Sequence, residues 1–259
     1  MVPLLNSFLI LIQRFLPIVS LVLLWAISAR ADIEPSLQDL LPVYFVTDIQ
    51  GEGNVQVLKE GETRWQKTGT GDRLEQGDRI LVGDDTEIVL ALKGETFIHL
   101  DENSEMVVSH LEENQSGGFL SRLRLLTGAI LSDVKKKLSE SQSSFEVDSG
   151  GVVCAVRGTL FEVVSEGGRI LTSADQGRVE VRTSQGTLQV SAGETCSASR
   201  DQAPSARPSS KAIKARFQTW RRISQRFRGQ KGKADHPGAP RLGNGTRLGP
   251  RSAQRTGPH

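Results

Sequence analysis

From Tyr44 to Ala198, apolar and polar residues alternate in short runs broken by Gly, Asp and Asn. Such runs include "NVQVLKEG", "RILVG", "TEIVLALKG", "TFIHLDENSEMVV", "LRLLTGAILSDV", "SFEVDSGG", "TLFEVV", "GRVEVRTSQG" and "TLQVSAG". Each has the period of two expected of a half-buried strand. "SEGG" and "SQG" supply Gly where a tight turn needs positive φ. No helical period separates the runs. The pattern predicts an all-β fold, an antiparallel β-sandwich or β-roll. A short solenoid-like roll is the second architecture, although no fixed repeat period is visible.

The period changes after Arg200. "SSKAIKARFQTWRRISQRFRG" sets Ile213, Phe217, Trp220, Ile223 and Phe227 on one helical face. This predicts an amphipathic basic helix over 208–229, capped by Ser209 or Ser210 and ended by Gly229. Lys and Arg crowd the rest of its surface. Residues 230–259 are rich in Gly, Pro and Arg and nearly free of apolar side chains, so they are expected to be disordered.

The N-terminus has a different pattern. Arg14 precedes an apolar run, "FLPIVSLVLLWAI", and "SARA" follows with small residues at Ala29 and Ala31. This reads as a signal peptide over 1–31, cleaved between Ala31 and Asp32. The run is short for a bilayer-spanning helix, and an uncleaved anchor is the alternative. Residues 32–43 are a lead-in to a β-domain over 44–199. The expected location is periplasmic or secreted.

Charge sharpens the division. The formal net charge of +2 conceals an acidic stretch from Asp32 to Ser199 and a basic one from Arg200 to His259. Phe and Trp opposite Lys and Arg suit an anionic membrane surface or a partner protein, with Phe217, Trp220, Arg221, Arg222 and Phe227 as contacts. The chain's own acidic body is a third candidate surface for the same helix. Charge alone permits nucleic acid, but the export signal argues against it.

Motifs for catalysis are sparse. His99, His110, His236 and His259 fall into no metal-ligand spacing, and there is no nucleophile elbow or phosphate loop. His99, in "TFIHL", reads as packed at a strand surface. "GTGDRLEQGDRILVGDD" faintly suggests a calcium roll, yet lacks the repeat and reads better as Gly-Asp turns. No enzyme activity and no cofactor are expected. Cys154 and Cys196 form a candidate disulfide pair, the alternative being two buried thiols. "SDVKKKLSESQSSF" reads as a projecting loop between strands.

Four phrases together resemble the FecR domain family. "RLEQGDRILVGDDTEIVLALKGETFIHLDENSEMVV" looks like its first part, and "LRLLTGAILSDV" like its Leu-x-x-Gly strand. "FEVDSGGVVCAVRGTLFEV" is similar to its phrase of Phe-x-Val, a turn, and Val-Arg-Gly-Thr-x-Phe. "QGRVEVRTSQGTLQVSAGE" looks like its closing strands. The likeness runs roughly from Val55 to Thr195 and makes Val156, Arg157, Gly158, Thr159 and Phe161 family-motif residues with a structural role. Arg157 is also a candidate anion contact. Well-known FecR proteins are inner-membrane regulators whose cytoplasmic tails handle a sigma factor. Only 14 residues precede the apolar run here, so the resemblance implies the extracytoplasmic β-domain alone. The resulting expectation is a binding or scaffold module of the bacterial cell envelope, its partner an envelope protein or glycan. The alternative is a membrane-anchored component of transmembrane signalling.

Overall fold

The computed structural model describes residues 42–92, 96–113, 118–134, 144–156 and 158–229. The signal segment with Ala31 and Asp32, nearly all of the lead-in, Lys135 to Lys137, Arg157 and the 230–259 tail lie outside the described residues.

The first strands are β1 (Tyr44–Gly51), β2 (Val55–Leu58), β3 (Gln66–Lys67), β4 (Arg73–Leu74), β5 (Arg79–Val82), β6 (Thr86–Leu92), β7 (Thr96–Leu100) and β8 (Glu105–Glu113). The long β9 (Phe119–Asp133) follows. Then come β10 (Ser144–Ser149), β11 (Val152–Val156), β12 (Leu160–Glu166), β13 (Arg169–Gln176), β14 (Arg178–Thr183), β15 (Gly186–Ser191), β16 (Glu194–Ser199) and β17 (Gln202–Pro208). One helix, α1 (Lys211–Gly229), ends the described chain.

These strands make two facing layers. The first runs β17-β16-β13-β12-β9-β7-β6-β1-β4, the second β15-β14-β11-β10-β9-β8-β5-β2-β3. All pairings are antiparallel except β9 with β10. The sheet is therefore mixed, and it is not closed into a barrel. β9 belongs to both layers. Its first half pairs with β8 and β10, its second half with β7 and β12. Among the described residues, no ladder joins β1–β8 to β10–β17 directly, so β9 is the only strand through which they connect.

Gly128 marks the place where β9 changes layer. Its φ is +81°, and a Cβ there would lie 2.3 Å from Ser104 Oγ and 2.5 Å from Ser104 Cα. Only glycine has both the freedom and the room.

The main core fills the space between the layers. Tyr44, Leu90, Ile98 and Phe161 contribute from the first, and Ile80, Met106, Val147 and Val181 from the second. Tyr44 Oη hydrogen-bonds Ser121 Oγ at 2.6 Å inside this core. The first layer is covered on its other side too. There Val89, Ala91, Phe97, Leu131 and Leu160 pack against Phe217, Trp220 and Ile223 of α1. This explains why β6 is buried at every position. Strands covered on both faces read as continuous apolar runs rather than alternating ones.

The all-β architecture with a C-terminal helix matches the expectation, but boundaries differ. The β-body runs on through β17 to Pro208. That strand is a mostly exposed edge, paired only with β16, so it carries no apolar alternation to reveal it. Within the expected loop, Ser132 and Asp133 belong to β9, and Ser144 and Phe145 to β10.

Candidate functional site: the seat of the C-terminal helix

The first layer needs side chains that alternate between the core and the helix. In β6, Ile88 and Leu90 face the core, leaving Glu87 and Val89 towards α1. In β7, Ile98 and Leu100 face the core, leaving Phe97 and His99 on the other side. In β12, Phe161 and Val163 face the core, leaving Leu160 and Glu162. The period of two therefore carries Glu87, His99, Asp101 and Glu162 to one surface. Arg216, one turn before Trp220 on the helix, comes down onto it.

A buried charge cluster results. Arg216 Nε donates to Glu162 Oε1 at 2.7 Å, and Arg216 Nη2 donates to Asp101 Oδ1. The side chains of Arg216 and Glu162 are 4% and 2% exposed. His99 lies between two carboxylates. Its Nε2 is 3.2 Å from Glu87 Oε2, and its Nδ1 is 3.2 Å from Asp101 Oδ1, the latter off the line of a hydrogen bond. The ring of Trp220 covers His99 with centroids 5.3 Å apart.

Burial opposes the charged form of His99, but the carboxylates of Asp101 and Glu87 outweigh it and raise its pKa above the ordinary 6.5. Arg216 is also desolvated, yet Glu162 and Asp101 hold it more firmly charged than a free arginine. A cation and its carboxylates can share such a space only when each satisfies the others.

Ion pairs at the edge extend the seat. Arg221 Nη2 meets Asp175 Oδ2 at 2.5 Å, Arg228 Nη1 meets Asp133 Oδ2 at 2.7 Å, and Ser224 Oγ donates to Asp133 Oδ2 at 2.8 Å. Phe227 stacks on Phe97 at 5.7 Å. At the helix start, Ser210 Oγ accepts from the Ile213 amide at 3.3 Å as a cap, and Ser209 Oγ bonds Thr195 Oγ1 at 2.8 Å.

The predicted contact residues of the helix thus divide. Phe217 and Trp220 are buried on the protein's own body, Phe227 packs on Phe97, and Arg221 is paired with Asp175. Phe217 and Trp220 are covered by the sheet, while Arg221 and Phe227 keep part of their surface. Arg222 alone of the five is exposed. The acidic body took the helix because it offers an apolar floor as well as charge. His99 is likewise not at a strand surface but 3% exposed inside the cluster.

The other predicted positions lie elsewhere. Val156 ends β11 in one layer, and Phe161 enters β12 in the other, packed edge-on against Phe145 at 6.0 Å. Between them Gly158 takes φ +67°, and buried Thr159 donates through Oγ1 to the Arg178 carbonyl at 3.2 Å. The phrase is a corner where the chain passes from layer to layer. Cys154 and Cys196 are buried free thiols, so the candidate disulfide is not formed. Cys154 Sγ instead hydrogen-bonds Thr172 Oγ1 at 3.0 Å, and burial pushes its pKa up to about 12. The Gly-Asp turns use their carboxylates locally. Asp78 accepts from Lys59 Nζ at 2.6 Å and the Glu75 amide at 2.8 Å, and Asp72 from the Gly69 amide at 2.7 Å.

Glu87, Asp101, Glu162 and Arg216 were not singled out as site residues by the sequence. The available signal was a polar residue on the second face of strands whose two faces are both otherwise apolar. Among the described residues, no helix is long and apolar enough to cross a membrane.

A layered β-body with a helix seated over buried charges is a structural class rather than an activity. Residues 78–180 match the family model for FecR, described as FecR protein. The match runs from the start of β5 into β14. No curated protein matches the chain. Two crystal structures resemble parts of it, each of a "putative anti-sigma factor" from Parabacteroides distasonis. One is 14% identical with a TM-score of 0.44, covering 54% of this chain and 64% of that one. The other is 12% identical with a TM-score of 0.40, covering 69% and 65%. The chain therefore spans less than two thirds of either structure.

Proposed function

We propose that this chain is a non-enzymatic, extracytoplasmic FecR-type module that binds an envelope protein or glycan within a signalling system. The FecR match over 78–180 is the observation that carries the reading. Three features support it. The apolar N-terminal segment with its small-residue site suits export. Glu87, His99, Asp101, Glu162 and Arg216 are buried against one another beneath α1. The helix and sheet form one packed surface suited to rigid binding.

The test is fractionation of cells producing the full chain, with the mass of the mature N-terminus measured. A start at Asp32 in the periplasmic fraction is the expected result. Retention in the cytoplasm overturns the reading. In vivo crosslinking from the exposed strands then captures the partner. A second reading, an anchored signalling component, is favoured by the same family match and requires residues 1–31 to remain attached. The same mass measurement decides between the two.

A further inference from the structure

We infer that the outward face of α1 is an electrostatic contact surface for an anionic lipid bilayer, engaged while the aromatic face stays seated on the sheet. This rests on the extracytoplasmic reading above and names a second contact for it.

The helix separates its residues sharply. Ile213, Arg216, Phe217, Trp220, Ile223, Ser224 and Phe227 turn inward or lie partly covered. At helical spacing on the opposite side stand Lys211, Lys214, Gln218, Arg222, Gln225 and Arg226, all exposed. The helix contains no carboxylate anywhere in its sequence. Among the described residues, none of Lys211, Lys214, Arg222 and Arg226 is paired with an acid, whereas Arg216, Arg221 and Arg228 all are. The four free cations therefore form a row along a rod about 28 Å long.

The chemistry of that row selects its partner. Protein hot spots are Trp, Tyr and Arg held in desolvated pockets, and this face presents no aromatic side chain, only exposed cations. A charged bilayer needs no anchor, because its surface potential attracts each Lys or Arg by roughly fivefold in affinity. A straight, convex row of long, flexible cations also fits a plane better than a pocket. The acidic body lies behind the helix. Beyond about 8–10 Å its repulsion is screened, so it orients the molecule helix-first rather than repelling it. This differs from an interfacial helix that buries its aromatic stripe among acyl chains, since Phe217 and Trp220 are 2% and 0% exposed.

The experiment uses the chain from Asp32 onward, which contains every described strand and the helix. It is co-sedimented with vesicles rich in phosphatidylglycerol and with vesicles of phosphatidylcholine alone. Lys211→Glu, Lys214→Glu, Arg222→Glu and Arg226→Glu are combined in one variant, whose melting temperature confirms folding because all four sites are exposed. Expected are binding to the anionic vesicles only, a loss of roughly a hundredfold or more in the variant, and steep weakening with salt. With Trp65→Phe as background, Trp220 emission should stay unshifted on binding. Equal binding by the variant overturns the inference. So does a shift of Trp220 emission in either direction, which would mean the helix leaves its seat, or binding to an acidic protein but not to vesicles. A chain found in the envelope fraction that ignores vesicles defeats this inference alone. A chain never exported defeats the functional reading whatever the vesicles show.

Discussion

Replacing Arg216 is the most direct test of the helix seat. Arg216→Met keeps much of the side chain's length and removes its charge. Asp101 and Glu162 then remain beneath the helix, with side chains 9% and 2% exposed, and Glu162 loses the 2.7 Å bond from Arg216 Nε. Breaking a buried pair by removing one partner costs about 3–5 kcal/mol, because the other charge stays uncompensated. For a domain of this size that corresponds to a fall of roughly 6–20 °C in melting temperature. The compensating variant adds Asp101→Asn and Glu162→Gln. It should recover most of the loss, since neutral replacements of buried ion groups are often tolerated. Thermal and urea unfolding by circular dichroism, with hydrogen exchange across α1, reads both variants. A cost below about 1 kcal/mol, with no recovery in the triple variant, would mean that the cluster is solvated and the reasoning wrong.

Three further outcomes are expected. His99 has a raised pKa in the folded state, so its contribution is complete below about 6.5 and is lost as pH rises through the folded value. Melting temperature should therefore fall from mildly acidic to alkaline pH, with a smaller slope in His99→Gln, and an identical slope in both would remove His99 from the account. Trp220→Ala empties a fully buried site and should cost about 3–5 kcal/mol in urea unfolding, while a near-neutral result would show that the helix is not packed as described. Both cysteines should resist a thiol reagent in the folded protein and react fully in denaturant, and reaction under native conditions would contradict their burial.

Much of the β-body was legible in the chain because strand alternation and Gly turns are local signals. The run "TEIVLALKG" shows where legibility stopped. Its apolar residues announced a strand, but nothing in the run marks Glu87 as a buried position. Only the second cover over that face, supplied by a helix far along the sequence, turns Glu87, His99 and Glu162 into buried groups. Local pattern specifies which residues share a face and not what lies on top of it. The helix itself was visible from its spacing, whereas its choice of its own body over a foreign surface depended on the apolar floor of Val89, Phe97 and Leu131. β17 escaped notice for the opposite reason, since an exposed edge buries too little to leave a pattern.

The way β9 joins the body gives the helix a mechanical meaning. The strands before β9 and those after it share no ladder among the described residues, so the two flanks could part along that spine. Arg216 grips Asp101 from the early flank and Glu162 from the late one, and Phe227 with Arg228 reaches Phe97 and Asp133 as well. The helix is a clasp across a seam. Tension on the C-terminus would reach the clasp before either sheet, and a pull that lifts it would free the flanks to separate.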